Sequence, residues 1–296
     1  MKKTIFTGAG VAIVTPMNLD GTVNFGKLAE LIEFQINNAT DAIIICGTTG
    51  ESSTLTHEEH TQLIRFTVEE VAKRVPVIAG TGSNDTAYAV ELSKEAELAG
   101  ADALLVVTPY YNKTTQAGLV RHFNYIADNV NLPIILYNVP SRTGLDIKPE
   151  TYAELARHKN IVAAKEANGN VCAMAQTVAL CGDNLDIYSG NDDQIVPFLS
   201  LGSKGVISVL SNIMPQQTHD MCTKYLNGDV VGSRKLQIDL FALINSLFTE
   251  VNPIPVKHAL NLMGYNVGEC RMPLAPISAK NEEILKSEMK KLGLIK

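Results

Sequence analysis

Short apolar runs recur along the chain, and an amphipathic stretch follows most of them. The runs cover residues 11–15, 41–46, 76–80, 102–108, 133–138, 161–166, 185–189 and 205–210. Most are rich in Val, Ile and Leu and do not alternate with polar residues, the pattern of strands covered on both faces, as in a parallel sheet. The stretches between them carry apolar residues at helical spacing. Leu28, Leu31, Ile32 and Ile36 share one face of residues 25–37, and Leu63, Ile64, Val68 and Val71 share one of residues 57–74. Thr56 and Glu59 have the spacing of a capping box. Residues 87–99, 119–129, 149–158, 171–180 and 194–201 read as helices too.

Eight strand-helix units in about 210 residues fit a (β/α)8 barrel. The alternative is a doubly wound open sheet, which needs a nucleotide fingerprint at its switch point. Gly8-Ala9-Gly10 and Gly80-Thr81-Gly82 both lack the third glycine and read as tight turns. After residue 213 the strand pattern stops, and residues 214–227, 230–250, 255–263 and 278–292 read as helices. The expected organisation is a catalytic barrel over residues 1–227 with a C-terminal helical appendage over 228–296.

Composition narrows the function classes. A chain of 296 residues with 46% hydrophobic content can bury roughly three quarters of its unfolded surface without staples. Net charge is −6, which argues against non-specific nucleic-acid binding. The five cysteines are odd in number with no CxxC pair, so they read as reduced thiols. Lys2-Lys3 resembles the start of a secretion signal, but Gly8, Gly10 and Thr15-Pro16 break the apolar run. No apolar stretch approaches the ~20 residues that span a bilayer. A cytoplasmic protein with no membrane partner is expected. His57 and His60 lie three apart, yet no third ligand and no HExxH accompany them, so no metal is expected.

Catalytic residues of such a barrel lie at the C-terminal ends of its strands. There the sequence places Thr48 and Thr49, then Tyr110 and Tyr111, Tyr137 with Arg142 beyond it, Lys165, and Gly190-Asn191. Lys165 stands in an otherwise apolar strand with small neighbours. If Ala163 faces the barrel interior, so do Lys165 and Ala167, while Glu166 faces out. An amine kept uncharged by burial attacks a carbonyl carbon, whereas a strand-end lysine that reaches water or a carboxylate does nothing of the kind. Tyr137 tips the balance. It sits on the neighbouring strand, and imine formation needs a group that moves protons to and from a carbinolamine. The turn at Thr48-Thr49-Gly50 can hold a carboxylate on successive backbone N–H groups, favoured by a following helix, or be an ordinary turn with Gly50 at positive φ. Arg142 can grip a second carboxylate, or lie idle on the surface. These residues point to amine catalysis on a small keto acid and leave the acceptor open.

The chain resembles the dihydrodipicolinate synthase/N-acetylneuraminate lyase family over nearly its whole length. The resemblance rests on Gly47-Thr48-Thr49-Gly50-Glu51, Thr108-Pro109-Tyr110-Tyr111-Asn112, Tyr137-Asn138-Val139-Pro140-Ser141-Arg142-Thr143-Gly144 and Ala164-Lys165-Glu166. The double threonine, the double tyrosine and Arg142 are similar to the synthase branch rather than the lyases and sugar-acid aldolases. It implies that Lys165 condenses with pyruvate and that the resulting enamine attacks L-aspartate 4-semialdehyde, with no cofactor beyond the imine. It further implies Tyr137 as proton carrier, relayed through Thr48 and through Tyr111 of a neighbouring subunit. Thr49 would hold the pyruvate carboxylate, Arg142 the semialdehyde carboxylate, and Gly190 and Ile207 would line the pyruvate pocket. A homo-oligomer follows, expected to be a tetramer made of two dimers. Asn191 stands where many relatives carry aspartate. Ser52, His57, His60, Asn84 and Tyr110 map near the lysine feedback site of inhibited relatives. Tyr88 replaces a glutamate there, so weak or absent lysine inhibition is expected. The rival readings are a sugar-acid aldolase of the same family, a non-catalytic keto-acid sensor and an oligomeric scaffold.

Overall fold

The computed structural model describes residues 2–296. Eight strands close a parallel barrel in sequential order: β1 Gly8–Ala12, β2 Ala42–Ile45, β3 Val77–Gly80, β4 Ala103–Val107, β5 Ile134–Asn138, β6 Ile161–Glu166, β7 Asp186–Ser189 and β8 Gly205–Ser208. Helices cover the outside, beginning with Phe25–Asn37, whose N-cap Asn24 accepts from the Lys27 N–H, and His57–Val71, which starts on the Thr56/Glu59 capping box. Two apolar layers result. The inner one fills the barrel with Ile44, Ile78, Leu105, Ile135, Ala163 and Ile207. The outer one packs residues such as Ile43, Ile45, Leu104 and Ala164 against the helices. The barrel floor is plugged by Phe6, whose ring stacks on Tyr188 at 4.3 Å while the Tyr188 hydroxyl donates to the Phe6 carbonyl at 2.7 Å.

Three expectations change. The first strand is Gly8–Ala12 rather than residues 11–15, with Gly10 opposite Ala42 and Gly8 opposite Gly205. The two Gly-x-Gly sequences are therefore not tight turns. A Cβ on Gly10 would stand 2.7 Å from Ile44 Cδ1, and one on Gly80, the last residue of β3, 2.2 Å from the Cys46 carbonyl. Backbone excludes a Cβ at Gly80, while at Gly10 the side chains of Ile44 and Phe6 would have to shift to admit one. The single helix expected over residues 230–250 is two, Val230–Asp239 and Phe241–Ser246. The bend at Leu240 lets the first pack on Pro215–Leu226 and the second on Ala279–Lys291. The next helix starts at Ile254, with Pro253 as its N-cap and Pro255 in its first turn, where a missing N–H has no helical partner to lose.

The helices beyond residue 228 also reach the C-terminal rim of the barrel. Lys257, in the helix Ile254–Leu262, forms a buried ion pair of 2.8 Å with Glu51 in the loop after β2. Arg271 grips Glu59 on the helix that follows that loop. Among the described residues no helix is long and apolar enough to cross a membrane.

Candidate active site

Lys165 is the penultimate residue of β6 and points into the barrel, only 5% exposed. The side-chain alternation holds: Ala163 belongs to the inner layer and Ala164 to the outer. Lys165 Nζ lies 4.3 Å from the centre of the Tyr137 ring, which is itself buried among the inner residues. Neither a reach to bulk water nor a pairing with a surface carboxylate describes this lysine.

The facing of these two side chains depends on an irregularity. Ile134 pairs with Ile161, but Ile135 pairs with Ala163, so Val162 is an extra residue on β6. Without that bulge Tyr137 would stand opposite Ala164. With it the register partner is Lys165. Bulges beside barrel rims re-aim side chains in this way. Val162 accordingly joins the inner layer beside Ala163.

The loop after β2 brings Thr48 and Thr49 to the rim. Among the described residues, neither threonine N–H donates to the chain, while those of Gly50 and Glu51 close back on Gly47 and Thr48 at 3.1 Å. Two adjacent donors are thus presented, as an anion-binding nest requires. Two details differ from expectation. The loop leads into a single 3-10 turn, Ser52–Thr54, and not directly into the α-helix, which starts at His57. The left-handed residue is Glu51, at φ 57, not Gly50. The Lys257 ammonium and the Arg271 N–H, 2.8 Å from the two Glu51 carboxylate oxygens, hold it there.

Thr49 Oγ1 accepts from Asn252 Nδ2 at 2.9 Å, and the Asn252 carbonyl accepts from Arg142 at 3.0 Å. One asparagine of the C-terminal region therefore ties together the two residues expected to meet the two carboxylates. Thr48 and Arg142 line a cavity of about 340 Å³ with Val139 and Thr143. Ser52, His60, Tyr88 and Tyr110 line the same cavity, so the residues near the expected effector site share a space with the rim. Lys165 and Tyr137 are not on its wall. His60 is turned away, its Nε2 2.7 Å from the Gly80 carbonyl, and burial lowers its pKa. His57 packs on the Tyr88 ring at 5.9 Å, and burial, with Glu91 and Glu58 nearby, raises the pKa of the Tyr88 phenol. Asn84 lies apart, beside Asn112 and His122 in a second cavity.

Gly190 follows β7 and donates its N–H to the Glu166 carbonyl at 2.8 Å, extending the ladder beyond the strand end. Ile207 is fully buried in the inner layer. Asn191 is fixed through its backbone by Ser189. Tyr111 stands alone: its side chain is 93% exposed and its backbone is left-handed at φ 67. It does not line the cavity that Thr48, Tyr110 and Arg142 share.

Sequence reasoning passed over Asn252 and Asp192. Asp192 is fully buried, and its carboxylate accepts from the Val209 and Leu210 N–H groups at 3.0 and 2.9 Å. Burial pushes its pKa up, while these hydrogen bonds and the positive charge of Lys165 pull the other way. Its only sequence signal was its place beside Asn191. Asn252 gave no signal, since it lies far from any strand end in sequence.

Residues 5–292 match the dihydrodipicolinate synthetase family. The chain is 62% identical over 292 residues to the 4-hydroxy-tetrahydrodipicolinate synthase of Lachnoclostridium phytofermentans, covering 98% of this chain and 99% of that one. It is 60% identical over 293 residues to the enzyme of the same name from Thermoanaerobacter sp., covering 99% and 98%. The crystal structure of the chloride-inhibited dihydrodipicolinate synthase from Acinetobacter baumannii, complexed with pyruvate, superposes with a TM-score of 0.96 at 44% identity, covering 99% of this chain and all of that one.

Proposed function

The chain belongs to the dihydrodipicolinate synthetase family, and we propose that its barrel condenses pyruvate with L-aspartate 4-semialdehyde through an imine on Lys165. The activity is that of a 4-hydroxy-tetrahydrodipicolinate synthase, a lyase of the class I aldolase type in diaminopimelate and lysine biosynthesis. One observation supports Lys165 as its centre: a buried amine inside the barrel, 4.3 Å from the ring centre of Tyr137, its register partner on β5.

The Lys165 amine adds to the pyruvate keto carbon, and loss of water gives the imine. A proton then leaves the pyruvate methyl group, and the enamine attacks the semialdehyde aldehyde carbon. The amino group of the condensed product displaces Lys165 and closes the ring of 4-hydroxytetrahydrodipicolinate, which releases the lysine amine. Tyr137, whose ring centre lies 4.3 Å from Lys165 Nζ, carries the protons of these steps, with Thr48 and Tyr111 as relay. The Thr49 loop holds the pyruvate carboxylate on its open N–H groups, and Arg142 holds that of the semialdehyde. Gly190 and Ile207 bound the space around the keto acid. The protein alone supplies this chemistry, with no metal or other cofactor.

An exposed tyrosine at positive φ supports the reading that Tyr111 serves a second copy of the chain. A homotetramer of two such dimers, working in the cytoplasm, fits it. The test is turnover: purified protein given pyruvate and L-aspartate 4-semialdehyde should form the cyclic product, and given pyruvate with sugar aldehydes or N-acetylmannosamine should not. Faster turnover of the sugar substrates would replace this reading with an aldolase one.

A further inference from the structure

Resting on Lys165 as the imine-forming residue, we infer that Glu166 is a positioning residue. It clamps β5 to β6 on the outer face of the barrel and so fixes how Lys165 meets Tyr137 on the inner face.

Two consecutive register pairs carry the argument. Tyr137 lies opposite Lys165, and the next pair is Asn138 opposite Glu166. Successive side chains of a strand point to opposite faces, so the outer pair stands directly behind the reactive one. Asn138 Nδ2 lies 3.0 Å from each Glu166 carboxylate oxygen. The Tyr152 hydroxyl, from the helix Pro149–Leu155, donates to the same carboxylate at 2.8 Å. The Asn168 N–H, from the loop beyond β6, donates to it at 2.8 Å. Asn138 is fixed in turn, donating to Asp146 at 2.8 Å and accepting from the Ile147 N–H at 3.1 Å. Glu166, Asn138 and Tyr152 are all buried.

A clamp is needed here because the bulge at Val162 leaves this pair of strands with an irregular ladder just below the reactive pair. A carboxylate suits the place because each of its partners is a donor. The charged groups facing it are Asp146 and, through the 2.8 Å ion pair with Asp146, Lys148. No cation touches the carboxylate among the described residues. Burial raises the Glu166 pKa from 4.5 to about 7, against the pull of Asn138, Tyr152 and Asn168. A carboxyl held more tightly protonated in the folded state than in the unfolded one costs stability as pH rises from 4.5 to 7. Ionising Glu166 therefore lowers stability relative to its protonated form, and the four hydrogen bonds to its carboxylate offset part of that cost.

The experiment compares wild type with Glu166→Gln and Tyr152→Phe at pH 8. It reads melting temperature, kcat, KM for pyruvate and the rate of borohydride-trapped adduct formation on Lys165. Glu166→Gln should melt within about 2 °C of wild type or above it. Its KM should stay within about twofold while kcat and the trapping rate fall about 10- to 100-fold, the scale of a small misplacement of reacting groups. Tyr152→Phe should fall by about 3- to 10-fold in the same two rates, and it carries the test if Glu166→Gln fails to fold. Wild-type trapping rates in the folded variants, or rate losses seen only alongside a matching drop in melting temperature, overturn the inference. A wild-type protein that forms no adduct on Lys165 overturns instead the reading on which it rests.

Discussion

Cutting the buried ion pair between Glu51 and Lys257 should cost more stability than any surface substitution in this chain. Both side chains are 2% exposed and their charged atoms lie 2.8 Å apart. Lys257→Met removes the ammonium and leaves the Glu51 carboxylate buried, with the Arg271 N–H at 2.8 Å as its remaining donor. Stranding one charge of a buried pair costs about 3–5 kcal/mol. At roughly 2 °C per kcal/mol for a domain this large, the melting temperature should drop by about 6–10 °C. The double variant Lys257→Met with Glu51→Gln removes the stranded charge and should recover more than half of that loss, a coupling that a double-mutant cycle reads directly. Because Glu51 is the left-handed residue that turns the chain beyond Thr48 and Thr49, the single variant should also raise KM for pyruvate severalfold while leaving kcat nearly unchanged. Scanning calorimetry of the set and steady-state kinetics at subsaturating pyruvate make the measurement. A single variant within about 1 kcal/mol of wild type, or a double variant no more stable than the single, would refute the claim that the C-terminal region braces the rim through this pair.

Other expectations are simpler. Tyr137→Phe should keep the fold and lose about 100-fold or more in kcat, the scale of general acid–base catalysis; wild-type turnover would remove the proton-carrier role. Lysine at millimolar concentration should leave the purified enzyme largely uninhibited, because the neutral Tyr88 phenol lacks the charge-assisted bond, worth about 1.5–3 kcal/mol, that a carboxylate offers an ammonium. Tyr88→Glu should create sensitivity, and strong inhibition of wild type would contradict the reading. Burial pushes the pKa of His122 from 6.5 down to about 4, so its neutral form is favoured on folding. That contribution is complete above pH 6.5 and shrinks as pH falls toward 4; melting curves should show a shallower acid slope for His122→Gln than for wild type.

The strands were legible where both of their faces are covered, because an unbroken Val/Ile/Leu run admits few other placements. β2 and β6 came through within a residue or two at each end. β1 did not, since it starts on Gly8 and Gly10, packed against Ile44 and Phe6, where apolar periodicity looks for valine. The inward facing of Lys165 was legible from alternation, while its strand alone left a catalytic and an idle lysine equally open until Tyr137 was set beside it. Its facing of Tyr137 was not legible, because it turns on one extra residue, Val162, whose insertion leaves no mark in composition or spacing. Asn252 was out of reach for a different reason: it meets Thr49 across 203 residues of chain, and only the packing of the C-terminal helices on the rim brings them together. Tyr111 was read from the resemblance, and within one chain its side chain is 93% exposed.

One measurement bears most directly on the account. The protein is incubated with pyruvate, reduced with borohydride, digested, and its peptides are weighed. A reduced pyruvyl adduct confined to the peptide carrying Lys165, and lost in Lys165→Ala, is the expected result. Turnover without any such adduct, or an adduct carried by another lysine, would contradict it.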